Sequence, residues 1–479
     1  MRLRDLADNF RVLTLRNISH PLGLIGMMVM YLSGIPIVLL LILDSLGFLH
    51  SPYLGIYTFL VLPAFFALGV LLVVLGRYRA HRRAAAGDDR PLYPFPQWDL
   101  NQPSDRARFL VVTISGTLLL LIVATLSYRG VEFTESVTFC GKVCHAVMQP
   151  ENTAYLNSPH ARVSCVDCHI GPGADWYVRS KLSGLRQVWA VTVGNYAKPI
   201  ETPIHNLRPA RETCEQCHWP EKFHGDKVLV KRHFEADAAN SEIVNALVLK
   251  VGGGGQESGF TEGIHWHVNL EVDYVADEKR EEILWVRARR PDGQVTEYFK
   301  DGTELTADSL AAREVRRMDC LDCHNRPTHT FEDPNIALDE AIVAGRIDDA
   351  LPFIKREALA AITAEYASQE EAATQIPARL AAFYAEHAGD SLTIDSAAVA
   401  AAAATATEIY KRNVFPQMKV TWGTYANHIG HEVSPGCFRC HDDAHTSADG
   451  ATISQDCDTC HTLLAWEERD PAILQQLFP

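Results

Sequence analysis

The first 130 residues are dominated by three apolar runs, Pro21–Leu43, Tyr53–Leu75 and Phe109–Tyr128. Each is close to the roughly 20 residues that a helix needs to cross a bilayer. The pattern predicts membrane spans at about 21–43, 53–75 and 109–128. The first is too long for a signal peptide and has no small-residue exit site. Beyond residue 130 the periods shorten. Ala174–Tyr196 reads as a helix with Trp176, Tyr177, Trp189 and Tyr196 interleaved with Arg179, Lys181 and Arg186, a mixture suited either to a lipid–water boundary or to packing on haem faces. From Val228 to Lys300, branched and aromatic residues alternate with polar ones. Strands are expected at Ala246–Val251, His265–Val275, Ile283–Arg289 and Val295–Phe299, punctuated by Gly253–Gly255 and Pro291-Asp-Gly. Pro334–Lys411 is Ala-rich and helical, with Ala397–Ala406 its strongest helix former.

Charge orients these spans. Residues 1–130 carry +5 and the remainder −20. Arg2, Arg4, Arg11 and Arg16 precede the first span, and Arg77, Arg79, Arg82, Arg83, Arg90, Arg106 and Arg108 lie between the second and third. The loop between the first and second spans has no Arg. Arg-rich segments stay cytoplasmic, which puts the amino terminus inside and everything after residue 130 in the periplasm. An acidic soluble part argues against nucleic acid and suits a basic protein partner.

The cysteines supply the chemistry. All 12 fall into six pairs, each followed directly by His: Cys140/Cys144–His145, Cys165/Cys168–His169, Cys214/Cys217–His218, Cys320/Cys323–His324, Cys437/Cys440–His441 and Cys457/Cys460–His461. Zinc or redox thiols would explain one C-x-x-C. Six pairs with His, and no cysteine left over, point to six covalently attached haem c groups, tethered by two thioethers and held at iron by the motif imidazole. The first pair has three intervening residues where the other five have two. Only 11 residues separate Tyr128 from Cys140, roughly 17 Å as helix, so the first haem is expected at the membrane surface.

Each iron can take a further ligand, and histidine is abundant. His160, His205, His267, His329, His428, His431 and His445 sit beside motifs or in clusters and are candidate distal ligands, with Met148 a candidate for the first haem. His265 and His267 alternate in the expected strand, so at most one is expected to reach a given iron. His224, His233 and His387 read as solvated or structural. Imidazole on both sides gives low-potential haem, and a thioether raises the potential.

Some of these stretches resemble a family. The span leading into a haem motif, S-P-H-A-R-V-S-C-V-D-C-H from Ser158 to His169, and the aromatic–basic helix after it are similar to the NapC/NirT/NrfH family of membrane-anchored quinol dehydrogenases, over roughly 109–218. C-E-Q-C-H-W-P-E-K-F from Cys214, G-I-H-W-H-V from Gly263, C-L-D-C-H-N-R-P-T-H from Cys320 and G-C-F-R-C-H-D-D-A-H from Gly436 resemble its larger inner-membrane multihaem members. The family's first motif reads C-x-x-C-H-x-M, and here it is C-x-x-x-C-H-x-x-M. Its quinol pocket uses a Lys and an Asp in and before the helix matching Trp176–Tyr196. Here Ser183 stands near the Asp position, and Glu151, Asp167, Arg179 and Lys181 are the quinol-site candidates.

The expected architecture is a membrane-anchored multihaem cytochrome c. Three transmembrane helices (1–130) precede a mainly α, loop-rich, haem-packed periplasmic domain. That part divides into haems 1–3 (131–227), a small β-rich insert (228–319) and a helical carboxy-terminal domain with haems 4–6 (320–479). The resemblance implies oxidation of quinol, with menaquinol the expected form, and relay of electrons to a periplasmic redox protein such as a cytochrome or reductase. The alternatives are a multihaem terminal reductase of nitrite or hydroxylamine type, and an electron-transfer subunit of a larger quinol-oxidising complex.

Overall fold

The computed structural model describes residues 20–45, 62–87, 98–143, 145–171, 173–204, 207–219, 225–252, 263–290, 292–303, 305, 309–310, 312–387 and 394–478. The start of the second expected span, the Gly253–Gly255 run, Cys144, His205 and His224 lie outside them. The chain forms two compact units, residues 1–133 with 171–183, and residues 134–170 with 184–479.

The first unit contains three helices long and apolar enough to cross a membrane. They are α1 (Pro21–Ser45), α2 (Leu62–Ala85) and α3 (Pro103–Thr134). Both α2 and α3 differ from the apolar runs that announce them. α2 continues through Arg77, Arg79, Arg82 and Arg83, and α3 begins before Phe109 and ends after Tyr128. Hydropathy marks where lipid contact stops, whereas the helix continues as long as its backbone bonds do. α1 and α2 pack closely through glycine. A Cβ on Gly26 would lie 2.7 Å from the Gly69 carbonyl oxygen, and one on Gly76 would lie 2.5 Å from the Gly23 nitrogen. Small residues allow backbones to approach where no hydrophobic effect drives helices together. On α3, Leu110, Ile114, Leu118, Leu121 and Leu126 are exposed, as lipid-facing side chains are.

The second unit opens with a π-helical turn, Phe139–Val143, and α4 (His145–Leu156). Gly141 is needed there, since a Cβ would stand 2.1 Å from Asn152 Oδ1. Short helices α5 (Cys165–His169) and α7 (Ala210–Cys214) flank α6 (Ala174–Val193), whose amino-terminal half belongs to the first unit. Strands β1 (Asp226–Phe234) and β2 (Glu242–Lys250) pair antiparallel. Next come α8 (Trp266–Asn269), β3 (Glu271–Ala276), β4 (Ile283–Arg289), β5 (Val295–Lys300) and β6 (Arg316–Arg317).

After α9 (Cys320–Cys323) come four helices, α10 (Pro334–Val343), α11 (Ile354–Ile362), α12 (Gln369–His387) and α13 (Ser396–Asn413). Asp333 caps α10 by accepting from Asn335 N at 2.8 Å, with Pro334 as its first residue, and Asp395 caps α13 through Ala397 N. Strands β7 (His445–Ser447) and β8 (His461–Glu468) and helix α14 (Ala472–Leu477) close the chain. The sheets have the orders β1-β2-β8 and β6-β3-β4-β5-β7. Each is therefore completed by a strand from beyond residue 440, so the β-rich insert does not close on itself. The expected strand His265–Val275 is also revised, because His265 and His267 lie in a turn and β3 starts only at Glu271.

Candidate haem-binding sites and quinol-site residues

The motifs sit on short turns: Cys165–His169 and Cys320–Cys323 on single helical turns, Gly436–Arg439 and Cys457–Thr459 on 3₁₀ turns. A helical turn puts residues i and i+3 on one side, so both cysteines of a C-x-x-C can reach one ring system. Their cysteine side chains are half-buried or exposed. Acidic residues lock two of the turns. Asp167 Oδ2 accepts from Ser164 N at 3.1 Å, and Asp322 Oδ2 accepts from Asp319 N at 2.7 Å.

Neighbouring motifs meet in chain order. Cys165 lies beside Cys140, placing the second motif next to the first, and Cys214 lies beside Cys320, placing the third next to the fourth. Cys168 lies within electrostatic reach of Cys217, Cys323 of Cys437, and Cys460 of Cys437. This proximity joins motifs two and three, four and five, and six and five.

Five motif histidines face a second histidine. Ring centres are 6.2 Å apart for His169 and His329, 6.1 Å for His218 and His160, and 6.5 Å for His324 and His265. They are 5.8 Å apart for His441 and His267, and 6.1 Å for His461 and His431. In these pairs Nδ1 is repeatedly tied to a backbone carbonyl, which can only accept. His160 donates to Pro327 O at 3.2 Å, His265 to Val251 O at 2.8 Å, and His267 to Ile264 O at 3.0 Å. His329 donates to Glu151 O at 3.0 Å and His441 to Ser454 O at 2.9 Å. This fixes the tautomer and leaves Nε2 as the lone-pair nitrogen. Burial lowers the pKa of His267, His324, His329 and His461, and takes His169 to about 4, favouring the neutral ring that binds metal.

Residues 102–203 match the N-terminal region of the NapC/NirT cytochrome c family. Cytochrome c-type protein ImcH of Geobacter sulfurreducens is 45% identical over 448 residues, 93% of this chain and 88% of that protein. The chain belongs to the NapC/NirT cytochrome c family. Two shorter relatives match within it. The cytochrome c nitrite reductase subunit NrfH of Nitratidesulfovibrio vulgaris is 30% identical over 113 residues, 23% of this chain and 69% of that protein. The cytochrome c-type protein NrfH of Wolinella succinogenes is 33% identical over 78 residues, 16% of this chain and 44% of that protein. No solved structure matches the chain.

This NapC/NirT cytochrome is thus a membrane multihaem c-type cytochrome of the inner membrane, engaged in electron transfer, and its family carries covalently bound haem c. The ring pairs fit that group. A metal between two imidazoles lies about 2 Å from each nitrogen, and each nitrogen about 1 Å from its ring centre, so the centres should stand about 6 Å apart.

The other candidates named from sequence separate into groups. Met148 is half-buried in the first turn of α4. His445 is fully buried and uses both nitrogens on protein, Nδ1 with Asp442 Oδ1 at 2.8 Å and Nε2 with Ile283 O at 3.1 Å. That leaves no nitrogen for iron. His428 is buried, with Nδ1 unpartnered and the ring hydrogen-bonded to the Asp322 backbone, and burial takes it to about 4. Glu151 is buried, with Arg326 donating to both carboxylate oxygens at 3.1 Å. Its backbone oxygen holds His329, so it serves the second motif rather than an open pocket. Asp167 is an exposed carboxylate on α5. Arg179 and Lys181 lie on α6 over Trp176 (5.2 Å) and Tyr177 (4.7 Å). α6 also exposes Leu182, Leu185, Trp189 and Val193, which share one helical face. His265 was missed by sequence reasoning because a strand was expected. Gly263, two residues earlier, was the available signal of close backbone approach.

Proposed function

We propose that this chain is a hexahaem cytochrome that oxidises quinol, with menaquinol the expected form, and delivers the electrons to a periplasmic redox protein. The observation that carries this reading is the second histidine ring opposite five of the motif histidines, with successive motifs near one another from Cys140 to Cys460. Each haem c, when bound, accepts and returns one electron without making or breaking bonds. The cysteines tether and the motif histidines ligate. His329, His160 and His431 would hold the groups of the second, third and sixth motifs from the other side. A second imidazole there excludes water and small anions, which favours relay over a terminal reductase.

The Arg-rich ends of α2 and α3 belong to the cytoplasmic side, so the motif-bearing part faces the periplasm. Quinol oxidation releases protons, and the chain must accept them at the membrane boundary. Asp167 is an exposed carboxylate of the second unit proposed for that role, and Arg179 and Lys181, in the first unit, are proposed to bind quinol oxygens. Glu151 is withdrawn from it by Arg326. Anaerobic addition of menaquinol and ubiquinol analogues to the purified protein, followed by visible absorption, tests the reading. Appearance of the reduced c-type bands with the menaquinol analogue supports it. A protein reducible by dithionite but by neither quinol contradicts it and favours the subunit of a larger quinol-oxidising complex.

A further inference from the structure

His265 and His267 flank Trp266 in one turn that joins strands of different sheets. β2, in the three-stranded sheet, ends at Lys250, and β3, in the five-stranded sheet, begins at Glu271. The turn is fixed at both ends. Ile264 N donates to Lys250 O at 2.8 Å, His265 Nδ1 to Val251 O at 2.8 Å, and Leu270 N to Trp266 O at 3.1 Å. Gly263 permits the approach, because a Cβ there would lie 2.4 Å from Lys250 O and 2.6 Å from Gly252 N. Trp266 packs against the apolar cluster of Leu270, Val272, Tyr274, Ile283 and Val286, which Cys440 also joins. The middle residue is the anchor, and the two histidines reach different partners. The His265 ring stands 6.5 Å from His324 with its plane at 4°, and the His267 ring 5.8 Å from His441 at 84°.

We propose that His265-Trp266-His267 is a two-headed ligand: His265 is the distal ligand of the haem held by Cys320, Cys323 and His324, and His267 that of the haem held by Cys437, Cys440 and His441. This rests on the six-haem reading above. Each ring has Nδ1 engaged with a carbonyl, which makes Nε2 the lone-pair nitrogen, the form that ligates iron. Two successive irons then share one rigid support, so they keep a fixed separation. The two sites also differ in a measurable way. Coplanar imidazoles on a ferric haem give a rhombic low-spin electron paramagnetic resonance signal. Perpendicular ones give a strongly anisotropic low-spin signal.

The test uses the mature, haem-loaded protein and the variants His265→Ala, His267→Ala, His265→Met and His267→Met. Haem content is measured together with the resonance spectrum and a redox titration. His265→Ala is expected to keep all haems, lose one rhombic low-spin component and gain one high-spin haem. His267→Ala is expected to gain one high-spin haem at the expense of a strongly anisotropic component. The Met variants retain a ligand, so should an Ala variant not accumulate, they carry the test. Each is expected to raise the potential of one haem, a different haem in each variant. A wild-type protein with six haems whose spectrum and titration are unchanged by the substitutions overturns the inference while the function stands. The same holds if both positions perturb one and the same haem. A wild-type protein with fewer than six haems overturns the six-haem reading itself.

Discussion

Residues 334–414 and residues 134–219 are closed by different materials. In the helical segment, Leu338, Ile354, Ile362, Ile376, Leu380, Ala402, Ala406 and Ile409 are fully buried in one cluster. Each large side chain contributes about 1.5–3 kcal/mol by leaving water. In the motif-bearing segment, the buried apolar residues among those described are Val147, Ala154, Tyr155 and Ala210. α5 buries none of its own residues. The helical segment draws its core almost wholly from its own sequence, with Phe234 and Trp422 joining it. The motif-bearing segment buries few apolar residues of its own, joins Phe415, Met418, Val420 and Tyr425 through Val147, and would gain apolar surface from covalent haem c.

The largest effect should come from withholding haem attachment. In unmatured protein, amides of 337–410 should stay protected from hydrogen exchange while those of 145–218 exchange freely. Equal protection in both segments would remove the contrast. Next is the buried pair beside the second motif. Arg326→Ala removes the guanidinium that pairs with the Glu151 carboxylate, leaving only His329 Nδ1 beside it, and should cost about 3–5 kcal/mol. It should also disturb the haem spectrum, because Glu151 O and Arg326 (through His329 O) both hold the ligand loop. Loss of stability with an unchanged spectrum would separate the pair from the haem. Leu380→Ala in α12 should cost about 2–5 kcal/mol in denaturant melts, with the Soret band unchanged before the transition. A spectral change there would mean that the two segments are not built independently.

The smallest effect concerns pH at the five-stranded sheet. Burial alone would raise the Asp273 carboxyl, but hydrogen bonds and charge from Arg287 and Arg317 outweigh it and hold it below its ordinary 3.8. A lowered folded value means that the stabilisation is full above the ordinary value and fades as pH falls through the folded one. The urea midpoint of the wild type should therefore exceed that of Asp273→Asn near neutrality, and the gap should narrow below about pH 4. A gap that widens on acidification contradicts the assignment.

Spans and motifs were legible because their signals are local: an apolar run, or two cysteines and a histidine within six residues. The helices from Asp333 to Asn413 were legible in outline, and Pro334 and the capping Asp residues account for their starts. The histidine pairs were not, because they join distant segments, as His169 and His329 do. Membership of β7 and β8 in sheets begun two hundred residues earlier was hidden for the same reason. His445 looked like a ligand from its place near Cys440, and only its two hydrogen bonds show that both nitrogens are taken. Glu151 looked like an accessible acid until Arg326, far along the chain, was seen against it.

Peptide mass analysis of the mature protein tests the central claim most directly. The account predicts haem adducts on all six motif peptides, including the longer-spaced Cys140–Cys144 pair. Unmodified cysteines at any of the six, in protein matured alongside a functioning haem-attachment system, would contradict it.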